Sequence, residues 1–354
     1  MLKGNKGEWS EIYALCYILN SGRLESADKD LNPLKDMYFP VIKIIREEEH
    51  GKILDYITDE KVKIYQGNKL LGEFDKKEFK ASVDTMLNKI PQGNKAFSIS
   101  ELDTFFKNIH IHKLKADSLH KQDIKIKVRD SITGISPTLG FSIKSYLGAK
   151  PTLINPGMST NFIYEIQGCN ENLYNKVNSI DTNKKIMDRF AVMSESKCRL
   201  VFLEMASCNF KENLQFIDSQ MDKIVSAALL IAYQNNVKSV PAVINLLKAL
   251  NPLNFSNVNM YEFKFKKFLC ACALGMTPEM KWEGQEDANG GYIVVKKDGS
   301  VVCYHIYNRL DFEQYLYEYT NFDSPSTSRY NYAKIYQESG KYKINLNLQV
   351  RFNN

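Results

Sequence analysis

The chain has 354 residues, of which 44% are hydrophobic and 25% charged, and it carries a formal net charge of +6. That length allows two domains or one large α/β domain with insertions, and the composition excludes a disordered or fibrous protein. The mildly basic balance permits a polyanionic partner without requiring one. No run approaches the roughly 18 apolar residues of a membrane span. The nearest, Ile224 to Tyr233, reads as a buried helix face, so a soluble protein without membrane contact is expected. The N-terminal apolar stretch is interrupted by Glu8 and Glu11 and is unlike a secretion signal, and the odd number of scattered cysteines, seven, fits a reduced cytoplasmic interior. Cys270 and Cys272 sit in an apolar run with no second Cys or His pair at zinc spacing and read as core.

In chain order, Gly7 to Gly22 predicts a helix, with Ile12, Leu15, Cys16 and Leu19 at helical spacing and Asn20-Ser21-Gly22 as the stop. A strand-rich stretch follows, in which "FPVIKII" reads as a strand and "KVKIYQGNKLLGEF" as a hairpin with a Gly-Asn turn. "FSISELDTFFKNI" opens a helix on Ser98 or Ser100, and in "HIHK" His110 and His112 share a strand face with no third ligand spaced nearby. "DIKIKVRD" alternates cleanly and is joined through "SITGISPT" to a second strand, "LGFSIKS". Residues 178–281 read as mainly helical, broken by one strand, "CRLVFLEM". The last 65 or so residues return to β structure, with a hairpin turning at Asp298-Gly299 and a long alternating strand, "KYKINLNLQVRF". The fold class expected is α/β (α+β). The order β-rich, helical, β-rich divides the chain into a core over 1–177 and, over 178–354, a helical segment with a C-terminal β-rich part, the two forming separate lobes or one continuous domain.

In "GFSIKS" the period of two sets Ser142 and Lys144 on one face and Phe141, Ile143 and Ser145 on the other. Asp130, twelve residues before Ser142, ends the preceding strand, so the hairpin brings a carboxylate toward the Lys144 ammonium if a strand end, twist or bulge corrects its parity. A carboxylate that holds Mg2+ beside a lysine is the outline of a site for phosphodiester hydrolysis.

The set Asp130, Ser142 and Lys144 resembles the active-site motif of PD-(D/E)xK nucleases, with serine where that superfamily has an acid. The departure turns attention to the Ile143 backbone carbonyl or another acid as the second metal contact. "KGNKGEWSE" resembles the first-helix segment of resolvase-type members, which implies a metal role for Glu8, while Glu11 shares its helix face and stays open. Longer blocks, "GNKGEWSEIYAL", "GFSIKSYLGAKPTLINPGMSTNFIYEI", "GGYIVVKKDGSVVCYHIYNR" and "STSRYNYAKIYQESGKYKINLNLQVRF", are similar to the HpaII restriction endonuclease family. The resemblance implies a type II enzyme that cuts double-stranded DNA at CCGG with Mg2+, beside a methyltransferase that protects the host. A palindromic target implies a homodimer. A structure-specific or repair endonuclease of the same superfamily, and a DNA-binding protein without catalysis, fit the same residues.

Basic excess flanks these elements, with nine Lys/Arg against five Asp/Glu over 101–150 and five against two over 321–354, as backbone phosphates require. In the C-terminal strand Ile344, Leu346, Leu348, Val350 and Phe352 form the core face, and Lys343, Asn345, Asn347, Gln349 and Arg351 the other. Amides and a guanidinium are the groups that contact base edges, so Asn347, Gln349 and Arg351, with Arg309 and Arg329, are candidate base readers.

Overall fold

A computed structural model of the chain describes residues 1–49, 51–115, 122–130, 133–304, 308–330 and 332–353. His50, His120 and His305 lie outside the described residues. The chain divides into two compact units: Met1–Pro151 with Ala273–Gly275 and Glu286–Tyr315, and Thr152–Cys272 with Met276–Gln285 and Leu316–Asn354. Residues 286–315 return to the first unit because their two strands complete its sheet.

In the first unit helix α1 (Lys6–Ser21) is followed by strands β1 (Arg23–Ala27), β2 (Pro33–Glu49), β3 (Lys52–Thr58), β4 (Val62–Gln66) and β5 (Lys69–Phe74). Helices α2 (Lys76–Lys89) and α3 (Asp103–Asn108) precede β6 (Ile124–Val128) and β7 (Thr138–Ser145). The second unit runs through β8 (Thr152–Ile154), β9 (Asn161–Gln167), α4 (Glu171–Asn178), α5 (Lys185–Glu195), β10 (Arg199–Met205), α6 (Cys208–Ile217), α7 (Met221–Asn235), α8 (Val240–Leu250) and α9 (Asn259–Leu274). Strands β11 (Gly291–Val295) and β12 (Val301–Tyr304) rejoin the first unit, α10 (Arg309–Glu318) follows, and β13 (Thr320–Asp323), β14 (Ile335–Glu338), β15 (Lys341–Asn347) and β16 (Gln349–Phe352) end the chain.

The sheet of the first unit has the order β1-β12-β11-β7-β6-β2-β3-β4-β5, and β1 also pairs with the first half of β2, so six strands close a ring of pairings. It is mixed: β7 is antiparallel to β6 and parallel to β11. Its core gathers the buried face of α1 (Trp9, Ile12, Leu15, Leu19) against Ile44, Ile126, Phe141, Ile143 and Ile293. The opposite parity of β11 and β12 presents Tyr292 and Tyr304 to Phe312 of α10. At the β11–β12 turn Gly299 has φ +85°, and its carbonyl accepts a hydrogen bond from Tyr13 Oη at 2.6 Å.

Two helices depart from the sequence reading. α2 follows the β4–β5 hairpin, capped by Asp75 and Glu78 and burying Phe79, Val83 and Met86 at helical spacing. α10 interrupts the C-terminal β structure. In the second unit, "KYKINLNLQVRF" is two strands, not one: β15 lies in the sheet β10-β9-β15-β14, and β16 in β13-β16-β8. No helix among the described residues is long and apolar enough to cross a membrane.

Candidate active site

The register of the β6–β7 hairpin decides which carboxylate meets the Ser142–Lys144 strand. Ile124 pairs with Phe141 and Lys127 with Thr138, and Asp123 N–H donates to the Phe141 carbonyl at 2.8 Å. Asp123, one residue before β6, is thereby set opposite Ser142. Its Oδ2 accepts from Ser142 Oγ at 3.1 Å and from the Ile143 N–H at 2.7 Å. In a strand the N–H and C=O of one residue point to the same side, so the Ile143 carbonyl turns the same way, beyond the first residue of β6. Lys144, partly buried, follows on the face of Ser142. Gly140 permits the close approach here, since a Cβ on it would fall 2.1 Å from Gln122 Oε1 and 2.8 Å from the Asp287 carbonyl.

Asp130 is elsewhere. It lies in the connection at the far end of the hairpin, where its N–H donates to the Ile135 carbonyl and its carboxylate accepts from Thr133 Oγ1 at 2.6 Å. Thr138 and Lys144 are separated by six residues of β7, roughly 20 Å at about 3.3 Å per residue, so Asp130 is a turn-forming acid remote from Lys144. The carboxylate that meets Ser142 is Asp123, at the start of β6, and not the acid that ends the strand. The signal was present: Asp123 has the parity opposite to Ile124, Ile126 and Val128, which puts it on the same face as Ser142 once the hairpin is closed.

The helix acids divide their work. Asn5 caps α1, accepting from the Gly7 and Glu8 N–H groups, and Glu8 Oε2 accepts from the Asn5 N–H at 2.7 Å, completing a capping box. The carboxylate expected at the site thus serves the helix start. Glu11, one turn on, has a buried Oε2 with no hydrogen-bond partner. Burial and then the charge of Asp123 raise its carboxyl to about 8, against the opposing charges of Lys115 and Arg46.

The histidines of "HIHK" do not share a strand: His110 has φ +59° and no strand covers them. Among the described residues no group of three or more His, Cys, Asp or Glu is gathered to hold a metal by itself. The oxygen donors present, Asp123, Glu11 and the Ile143 carbonyl, suit a hard cation that needs one or two carboxylates and keeps several waters. The buried, unpartnered Glu11 Oε2 is the observation in favour of that fit.

The candidate base readers separate as well. Arg309 is held by Glu286 through two hydrogen bonds of 2.6 and 3.0 Å, and its Nε lies 3.5 Å from Glu313, so its guanidinium is committed within its own unit. Asn347 is fully buried, its Nδ2 donating to the Gly157 carbonyl at 2.8 Å and to Asn161 Oδ1 at 2.7 Å. Gln349 is 4% exposed. Both amides are buried where β15 passes into β16, and their oxygens, Asn347 Oδ1 and Gln349 Oε1, have no hydrogen-bond partner. Arg351 keeps a side chain 40% exposed, with Nε 3.4 Å from Asp323, and Arg329 lies on an exposed turn closed by its N–H to the Ser326 carbonyl.

A model of the family described as HpaII restriction endonuclease matches residues 5–352. The type II restriction enzyme HpaII of Haemophilus parainfluenzae is 40% identical over 356 aligned positions, covering 99% of this chain and 98% of that enzyme. No solved structure matches the chain significantly. With a likeness that covers nearly the whole chain, the chain belongs to the HpaII restriction endonuclease family and is a site-specific deoxyribonuclease.

Proposed function

We propose that the enzyme hydrolyses double-stranded DNA at the palindrome CCGG in a Mg2+-dependent reaction of the PD-(D/E)xK type, as a homodimer, in a host protected by a methyltransferase of the same specificity. The observation that carries the reading is the Asp123 carboxylate held against Ser142 and the Ile143 N–H, with Lys144 next along the same face. Asp123, Glu11 and the Ile143 carbonyl would hold Mg2+, which when bound neutralises charge on the phosphate and lowers the pKa of a bound water. Ser142 orients Asp123 by donating to its Oδ2. Lys144 brings a positive charge to the phosphate and orients the attacking water. The exposed Arg329 and the partly exposed Arg351 are the guanidinium groups proposed to reach guanine edges, of which CCGG offers two on each strand. A two-fold target favours a two-fold protein, which supports the homodimer.

The test is incubation of the purified enzyme with long unmethylated DNA and Mg2+, with every cut end mapped. Ends confined to CCGG, lost in EDTA and blocked by methylation of the site, are expected. Ends at junctions or flaps without sequence preference would support a structure-specific nuclease instead.

A further inference from the structure

Strand β2 carries a buried ion pair on the parity of its core residues. Ile44 is fully buried, and Arg46 and Glu48, at the next two positions of the same face, are 5% and 3% exposed. Arg46 Nε donates to Glu48 Oε1, and Arg46 Nη2 donates to the carbonyls of both Lys113 and Leu114. Glu48 Oε2 accepts from the His112 N–H at 2.9 Å. The pair therefore spends its fork and its second oxygen on the backbone of residues 112–114. On the other side Leu114 is wedged against the start of α1, since a Cβ on Gly4 would fall 2.6 Å from both Leu114 Cδ1 and Glu8 Oε2. The next residue, Lys115, is exposed and follows directly on the Leu114 that packs at the start of the helix carrying Glu11.

A buried ion pair is a poor source of stability, because desolvation offsets most of the attraction and apolar residues of equal volume serve as well. What apolar residues cannot do is fix three consecutive backbone groups in one position. We propose that Arg46 and Glu48 are positioning residues: they lock residues 112–114 between β2 and the start of α1 and so set the Lys115 ammonium beside the acids of the active site, where a DNA phosphate would meet it. The proposal rests on the nuclease reading of that site.

The test compares Arg46→Met/Glu48→Met, Arg46→Lys and Lys115→Ala with wild type in single-turnover cleavage, DNA affinity and tryptic cleavage after Lys113. The apolar pair should keep a cooperative thermal transition and bind DNA within about threefold of wild type, yet cut about tenfold or more slowly, the scale of a misplaced group. Trypsin should then cut after Lys113, whose carbonyl Arg46 holds in wild type. Lys115→Ala should slow cutting to a similar degree and add nothing on top of the double substitution, since both remove one function. Arg46→Lys keeps the charge opposite Glu48 without the fork, and should show the same tryptic exposure with a smaller loss, which covers the case in which the double variant fails to fold. Wild-type rates in folded variants, or losses that multiply with Lys115→Ala, would overturn the proposal. Normal cutting by Lys144→Ala would remove the site that the pair is proposed to serve, and so would overturn both readings at once; normal cutting by the Arg46 variants alone would overturn only this one.

Discussion

The β6–β7 hairpin and the C-terminal β15–β16 segment have the same alternating polar and apolar pattern, and the two regions use it in opposite ways. At Asp123 and Ser142 the ladder has just run out. β6 begins at Ile124, so the Asp123 carboxylate and the Ile143 amide meet at a strand end, and Lys144 extends beyond. At Asn347 the polar side chains lie where one sheet passes into another, with Leu346 and Leu348 fully buried on either side, and the amide nitrogen donates to a carbonyl and to a second amide. Alternation fixes which side chains share a face, but whether that face meets solvent depends on what the rest of the chain places over it.

The largest effect expected from this contrast is at Lys144. Lys144→Ala should lower the cleavage rate by about a hundredfold or more, the scale of losing one charge-stabilising group, with DNA affinity nearly kept. Measuring rate and affinity separately checks it, and a parallel loss of both would make Lys144 a general phosphate contact.

Next in size is Asn347. Asn347→Leu leaves buried partners unpaired and should destabilise the fold by about 1–3 kcal/mol in a denaturant titration. If the amide read bases instead, stability would hold and sequence preference would relax, and the contrast between the two strands would fail.

Glu11 gives a pH-dependent effect. Its folded-state pKa of about 8 stands above the ordinary glutamate value, so the folded protein keeps a proton that the unfolded chain loses as pH rises. Stability of the metal-free enzyme therefore falls between roughly pH 4.5 and 8 through this group, and Glu11→Gln abolishes that fall. The variant should melt higher than wild type at pH 8 and close to it at pH 4, while cutting poorly. Equal melting at pH 8 would place Glu11 in solvent.

The smallest effect is expected at Arg351. Loss of a guanine contact by Arg351→Ala should weaken cognate binding by about 1 to 3 kcal/mol and relax preference at one base pair. A uniform loss with a shallower salt dependence would identify a phosphate contact.

Much of this was legible in the sequence. The alternation of "DIKIKVRD" and "GFSIKS" gave both strands of the hairpin, Asp298-Gly299 gave the β11–β12 turn, and "CRLVFLEM" gave β10. Lys144 and Ser142 stood out as polar residues in an apolar strand. The register was the harder step, because a long connection leaves the pairing open, and a shift along the strand exchanges one acid for another. Asp130, Thr133 and Gly134 form the turn themselves, the Gly134 N–H donating to the Asp130 carbonyl at 2.9 Å, and counting back from that turn reaches Asp123 opposite Ser142. The choice between Glu8 and Glu11 was open for a different reason. Both lie on one helix face, and a capping box was recognisable from Asn5 and Glu8, but Glu11 is distinguished by burial that only tertiary packing creates. The Arg46–Glu48 pair was beyond the sequence altogether, since its partners lie 64 to 68 residues away.

We propose that Asp123, not Asp130, is the carboxylate of the active site. It is tested most directly by comparing Asp123→Asn and Asp130→Asn in Mg2+-dependent cleavage of a CCGG duplex, with folding of both checked by thermal melting. The account predicts that Asp123→Asn loses cutting while still binding DNA, and that Asp130→Asn, which keeps an oxygen for Thr133, cuts near the wild-type rate. Cutting by Asp123→Asn with loss in Asp130→Asn would contradict it.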